Sequence, residues 1–139
     1  EIVNRNCSKI LLGLGQWSAG YPHHHPTLFP AYKEEMSNLI KVFQAAGVDL
    51  SLRSLHYNPL GAEKIACPPI DWRSPATMDG YNAIIQNLCK ELDVPFINTK
   101  FIMDAMWDSS EDWCHYRGKV GTVEALYILQ HFLRSNKLQ

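Results

Sequence analysis

Asp112 stands three residues before His115 in the run Asp112-Trp113-Cys114-His115, which leads through Tyr116, Arg117 and Gly118 into an apolar helical stretch. On a loop, a carboxylate at that spacing can accept a hydrogen bond from one imidazole nitrogen, set the tautomer and stabilise the protonated ring. The other nitrogen is then left to take a proton from a hydroxyl. That is the base half of a catalytic triad. Gln16, Arg53 and His56 stand where the chain leaves two predicted strands. Neutral donors at such a place, a glutamine amide or a backbone N–H, can hold an oxyanion.

The elements that must position these residues follow from periodicity. Lys9-Ile10-Leu11-Leu12-Gly13-Leu14-Gly15 is a nearly continuous apolar run ending in glycines, the pattern of a strand buried on both faces of a parallel sheet. Loops past strand C-termini carry the ligands in open α/β sheets, so Gln16 and Trp17 fall at the working edge, where Trp17 alone reads as a cover for the sheet end. Apolar Tyr32, Met36, Leu39, Ile40 and Phe43 form one stripe of a helix over 31–46, stopped by Gly47. Val48, Leu50 and Leu52 alternate with Asp49, Ser51 and Arg53, which predicts a strand nearer an edge of the sheet because its other face is polar. A parallel pairing brings Arg53 and His56 to the same edge as Gln16.

The long Pro-rich connection at 61–75 contains Cys67. A second helix is predicted over 75–92, with Tyr81, Ile84, Ile85, Leu88 and Cys89 on its core face, where a reduced thiol is adequate. A short third strand centres on Val94-Pro95-Phe96-Ile97, a short helix covers about 100–107, and a closing helix runs over 120–133 with Val123, Leu126, Tyr127 and Leu133 available to pack on the sheet. This alternation predicts a single three-layer α/β/α domain over 1–139 with a mostly parallel sheet. Three strands make a thin sheet for such a fold, so at least one more strand is expected, either outside this chain or in a stretch whose pattern does not show it.

Composition narrows the classes. With 46% hydrophobic and 19% charged residues the chain is globular, and a net charge of −1 gives no electrostatic case for nucleic acid or an acidic membrane surface. No apolar run approaches the roughly 20 residues of a membrane span. The opening Glu1-Ile2-Val3-Asn4-Arg5 is not a signal peptide, as expected of a processed chain. Cys7, Cys67, Cys89 and Cys114 fit no zinc spacing. Their even number and the sequon Asn6-Cys7-Ser8, with Asn6 a glycosylation acceptor, point to secretion or a secretory-pathway lumen. The tract His23-His24-His25 invites a metal, alone or with His56. Adjacent residues of an extended loop point in different directions, however, so a solvated loop is preferred and no metal or other cofactor is expected.

The Asp112-Trp113-Cys114-His115 block before a final helix resembles the Asp-x-x-His block of SGNH/GDSL-type hydrolases. The order of Leu12-Gly13-Leu14-Gly15-Gln16-Trp17, Leu52-Arg53 with His56, Cys67, and the Asp-x-x-His block is similar to that of the PC-esterase and trichome-birefringence-like branch. The resemblance implies a flavodoxin-like fold and a secreted esterase or O-acetyltransferase acting on glycans. His115 would be the general base, Asp112 its orienting carboxylate, and Gly15-Gln16 the oxyanion block. Arg53 and His56 would contact substrate, and a Cys67–Cys114 disulfide would tie the long loop to the catalytic loop, leaving Cys7 for Cys89 or for another chain. The family's nucleophile sits in a Gly-Asp-Ser block, which this chain lacks. The expectation is therefore a C-terminal portion completed by a second polypeptide that supplies the first strand and the serine. The alternative is an inactive SGNH-like binding protein for a glycan or apolar small molecule, with Trp17, Trp72 or Trp113 as stacking surfaces.

Overall fold

Three short parallel strands lie in the order β1-β2-β3: β1 Lys9–Leu12, β2 Asp49–Arg53 and β3 Phe96–Ile97. The computed structural model describes residues 9–19, 28–56, 73–109 and 115–135. Asn6, Cys7, the 23–25 histidine tract, Cys67, Trp72, Asp112, Trp113 and Cys114 lie outside the described residues, as does the side chain of Trp17. The helices are α1 Gln16–Ala19, α2 Leu28–Ala45, α3 Pro75–Glu91, α4 Lys100–Ala105 and α5 Gly118–Ser135, with a 3-10 turn at Trp107–Ser109.

The sheet reverses the expected roles of its first two strands. β2 pairs with both neighbours, Leu11 facing Ser51 and Leu12 facing Leu52 on one side, Leu52 facing Phe96 and Arg53 facing Ile97 on the other. It is the central strand, and its alternation of polar and apolar side chains reflects two different layers rather than water on one face. Leu50 and Leu52 pack on α2 and α3, while Ser51 is equally buried, at 3% exposure, on the opposite side. The apolar β1 is the edge strand among the described residues, and Ile10, Leu11 and Leu12 are only half-buried. Hydrophobicity reported what these strands need covered, not what covers them.

The stripe predicted for α2 is the core face: Tyr32, Met36, Ile40 and Phe43 are all buried. The helix begins three residues earlier than expected because Pro30 falls in its first turn, where an N–H has no intrahelical acceptor to lose. It stops at Gly47, whose φ of 68° is left-handed. α3 is started by Ser74, whose Oγ accepts from the Thr77 N–H at 3.3 Å, with Pro75 in the first turn. Its core face carries Met78, Tyr81, Ile85, Leu88 and Cys89. Cys89 is a buried thiol, free among the described residues and pushed by burial up to about 11; Cys7 lies outside them.

α5 lies on the other side of the sheet, where its Glu124 reaches Arg53 of β2. Val120 packs with Ile102 and Met103 of α4 in a second, smaller cluster. The residues expected to pack on the sheet do not. Val123, Leu126 and Leu133 are 44%, 60% and 64% exposed. Val120, Glu124 and Ile128, four residues apart, turn inward instead. A helix that is apolar on two sides offers two stripes of correct spacing, and only packing chooses between them.

Candidate functional site

The C-terminal ends of β1 and β2 open at one edge, and each delivers a loop held by side chains from elsewhere. After β1 the chain turns through Gly13, Leu14 and Gly15 into α1. Gly15 has φ of 136°, and a Cβ there would stand 2.7 Å from Leu55 Cδ1 and 2.8 Å from the Tyr32 hydroxyl. Only glycine fits, by torsion and by space. Tyr32 donates its hydroxyl to the Leu14 carbonyl, and Tyr81 donates to the Ser18 carbonyl at 3.1 Å. The two rings meet edge to face at 4.6 Å. Burial, with Tyr81 alongside, raises the Tyr32 phenol well above its ordinary range, and burial raises Tyr81 too. Both hydroxyls therefore act as neutral donors that clamp the Gln16 turn.

The loop after β2 is fixed as firmly. Asn82 of α3 accepts from the Leu55 N–H at 2.7 Å and donates to the Leu55 carbonyl at 2.9 Å, satisfying both backbone groups as a neighbouring strand would. Ser54, 2% exposed, accepts from the backbone N–H groups of Thr99 and Lys100, each at 2.8 Å, and so caps α4 from another strand. Arg53 Nη1 donates to Glu124 Oε1 at 2.8 Å, and Thr99 Oγ1 donates to the same oxygen at 2.8 Å. Any contact from Arg53 to a substrate has to compete with this ion pair.

The two loops meet through Gln16, whose Nε2 donates to the His56 carbonyl at 2.7 Å. Gln16 Oε1 is buried and accepts no hydrogen bond among the described residues. The His56 ring stands edge to face against Tyr116 at 5.1 Å. Tyr116, the residue after His115, is thereby seated against the edge that holds Gln16. The His115 side chain is exposed. Gly15, Gln16, His56 and Tyr116 are thus brought together, and Arg53 lies beside them in its own ion pair. Asp112 and the Cys67–Cys114 pairing fall outside the described residues.

Sequence reasoning missed Tyr32, Tyr81, Asn82, Tyr116 and Glu124. Tyr32 and Tyr81 read as core residues, which they also are, and their hydroxyls carried no separate signal. Asn82 had one, because an asparagine in a helix interior is a poor helix former that is often retained for a hydrogen bond. On the α3 side of the same edge, a cleft of about 200 Å³ is lined by polar residues such as Ser54, Asp79, Asn82 and Lys100 and by apolar Ala83 and Phe96. Lys100 bridges Asp79 at 3.4 Å and Asp104 at 2.5 Å. Burial works against its charge, but the hydrogen bond and charge of Asp104, with Asp79, raise its pKa overall. Among the described residues, no group of three His, Cys, Asp or Glu side chains can hold a metal ion, and no helix is long and apolar enough to cross a membrane.

No family model and no curated protein matches the chain. Among solved structures it is similar to a lipase/acylhydrolase from Enterococcus faecalis, with a TM-score of 0.72 at 14% identity over 94% of this chain. The shared fold is α/β, a parallel sheet of three strands in this chain flanked by helices. The chain spans 64% of the length of that lipase/acylhydrolase. At such low identity the likeness concerns the layers and the parallel sheet, and the site has to be argued from its own residues.

Proposed function

We propose that this chain is the C-terminal part of a serine esterase or O-acyltransferase of the secretory pathway, acting on an ester of a glycan or small molecule. The observation that supports the reading is the meeting of the Gly15-Gln16 turn, His56 and Tyr116, next to His115, at the strand C-termini of a parallel sheet similar to that of a lipase/acylhydrolase. A second polypeptide supplies the first strand and the nucleophilic serine. Its hydroxyl attacks the ester carbonyl, and His115 takes the hydroxyl proton while Asp112 holds the ring. Backbone N–H donors at the Gly15-Gln16 turn stabilise the oxyanion. The tetrahedral intermediate collapses to an acyl-serine as His115 returns the proton to the leaving alcohol. Water or an acceptor hydroxyl then releases the acyl group by the same route. A Cys67–Cys114 disulfide fastens the long loop to the catalytic loop, and Asn6 carries a glycan.

The test is fluorophosphonate labelling of the assembly purified from its natural source, followed by intact mass under reducing conditions. The expected result is one labelled serine on a second polypeptide, with labelling and ester hydrolysis lowered about 10³-fold or more by His115→Ala. An unlabelled sample that contains this chain alone sinks the enzyme reading. One observation then favours the alternative, an inactive SGNH-like binding protein: the chain has no Gly-Asp-Ser, and its Ser51 and Ser54 are buried, with Ser54 committed to capping α4.

A further inference from the structure

Two apolar surfaces on this domain lack cover among the described residues. The first is the edge of β1, where Ile10, Leu11 and Leu12 are half-exposed and pair only with β2. Apart from Lys9, which is tied to Asp49 at 3.0 Å, the strand has none of the charges, prolines or bulges that usually blunt an edge. The second is the outward side of α5, where Val123, Leu126, Leu129 and Leu133 follow at steps of three and four and are 44% to 64% exposed. Phe101 of α4, 52% exposed, extends this surface through its edge-to-face contact with Tyr127 at 5.3 Å. A helix apolar on both sides is ordinarily enclosed on both, and contiguous exposed patches of this kind mark interaction sites.

The topology indicates what covers them. In flavodoxin-type doubly wound sheets the first strand lies beside the third, and the third, fourth and fifth follow in simple order. The consecutive parallel order β1-β2-β3 is that simple run, so the place beside β1 belongs to an earlier strand. The similar lipase/acylhydrolase has about a third of its length beyond what this chain spans, room for such a strand and a helix. We infer that the β1 edge and the outward side of α5 together receive a strand followed by an amphipathic helix from the serine-bearing second polypeptide. The strand pairs parallel to β1, and the helix lies against Leu126, Leu129 and Leu133. This inference rests on the proposed function and specifies how the partner docks. A parallel strand on that edge ends beside Gly13 to Gln16, so a residue just past its C-terminus enters the site from the side opposite His56.

The test replaces Leu126 with the photo-cross-linker p-benzoylphenylalanine in the chain expressed in its natural cells, and reads hydrogen exchange of the 10–12 amides in the purified assembly and in the isolated chain. The expected product is a cross-link to a different polypeptide that also carries the fluorophosphonate label. Exchange over 10–12 should be about tenfold or more slower in the assembly. The double variant Leu126→Glu and Leu133→Glu should lose the partner while the isolated chain keeps its Tm, because both side chains are exposed there. A cross-link to a second copy, or to a stretch of the same polypeptide, overturns the inference, as does exchange over 10–12 that assembly leaves unchanged. A labelled serine polypeptide that purifies with the chain but touches neither surface leaves the esterase standing and removes the docking mode. A strand and helix captured at both surfaces without label does the reverse.

Discussion

β1 and β2 are adjacent, parallel and similar in length, yet their sequences and their fates are opposite. β1 is almost purely apolar and stands at the edge, half-covered; β2 alternates with polar residues and is sealed between two layers. The polar residues of β2 are tolerated in the middle because each has a partner or a small side chain. Arg53 has Glu124, and Ser51 asks little space. The difference extends to the loops the strands deliver. β2 feeds a loop pinned by Asn82 and by the Ser54 cap, whereas β1 feeds one shaped by a single glycine and held by two tyrosine hydroxyls.

The largest expected contrast is between the strands themselves. Leu52→Ala, at 1% exposure in the central strand, should cost about 2 to 5 kcal/mol in urea unfolding. The facing Leu12→Ala in the isolated chain should cost roughly 1 kcal/mol, because that side chain is already half in water. Equal losses would mean that β1 is covered after all. If instead the loss at Leu12 rises only in the assembly, the comparison is sharpened, since the missing cover is then a partner.

The loops should separate next. Gly15→Ala puts a Cβ within 2.7 Å of Leu55 and 2.8 Å of Tyr32 at a positive φ, and should cost about 2 to 3 kcal/mol. Gly47→Ala, with the same sign of φ and nothing within 4 Å, should cost about 1 kcal/mol, the torsional part alone. A thermal-melt series on both variants checks this, and similar losses would show that the Gly15 turn yields to a side chain. Asn82→Ala should cost roughly 1 to 3 kcal/mol by orphaning the Leu55 N–H and carbonyl.

The last effect appears only at high pH. Cys89 has its folded-state pKa raised to about 11 from 9.0, and Tyr32 and Tyr81 are raised in the same direction, so the native state holds these protons more tightly than the unfolded chain. Stability from Cys89 is fully present below about pH 9 and is lost as pH rises to about 11. The loss is roughly 2 kcal/mol, and the tyrosines add to it above about pH 10. Chemical denaturation at pH 8 and 10.5 should show that fall, and Cys89→Ala should flatten its first part. A flat profile in the parent chain would mean that the thiol opens to water without unfolding.

The chain's own pattern was enough for the longer helices and for the alternation of strand and helix, though not for α1, which the sequence reads as a loop. The stripe of Tyr32, Met36, Ile40 and Phe43 has one sensible face, and a positive-φ glycine ends that helix wherever it packs. The same pattern placed Arg53 at the end of its strand and Gln16 and His56 just past theirs, because in a parallel sheet strand direction alone assigns the edge. Tertiary structure decided everything that depends on a second element. It made β2 central by supplying Glu124 to Arg53, turned Glu124 rather than Leu126 of α5 inward, and drew Tyr32, Tyr81 and Asn82 onto the site loops. A hydrogen bond across 27 residues, such as Asn82 to Leu55, leaves no mark on the spacing of either residue. Periodicity records which side chains avoid water, while their partners are settled only when the layers meet.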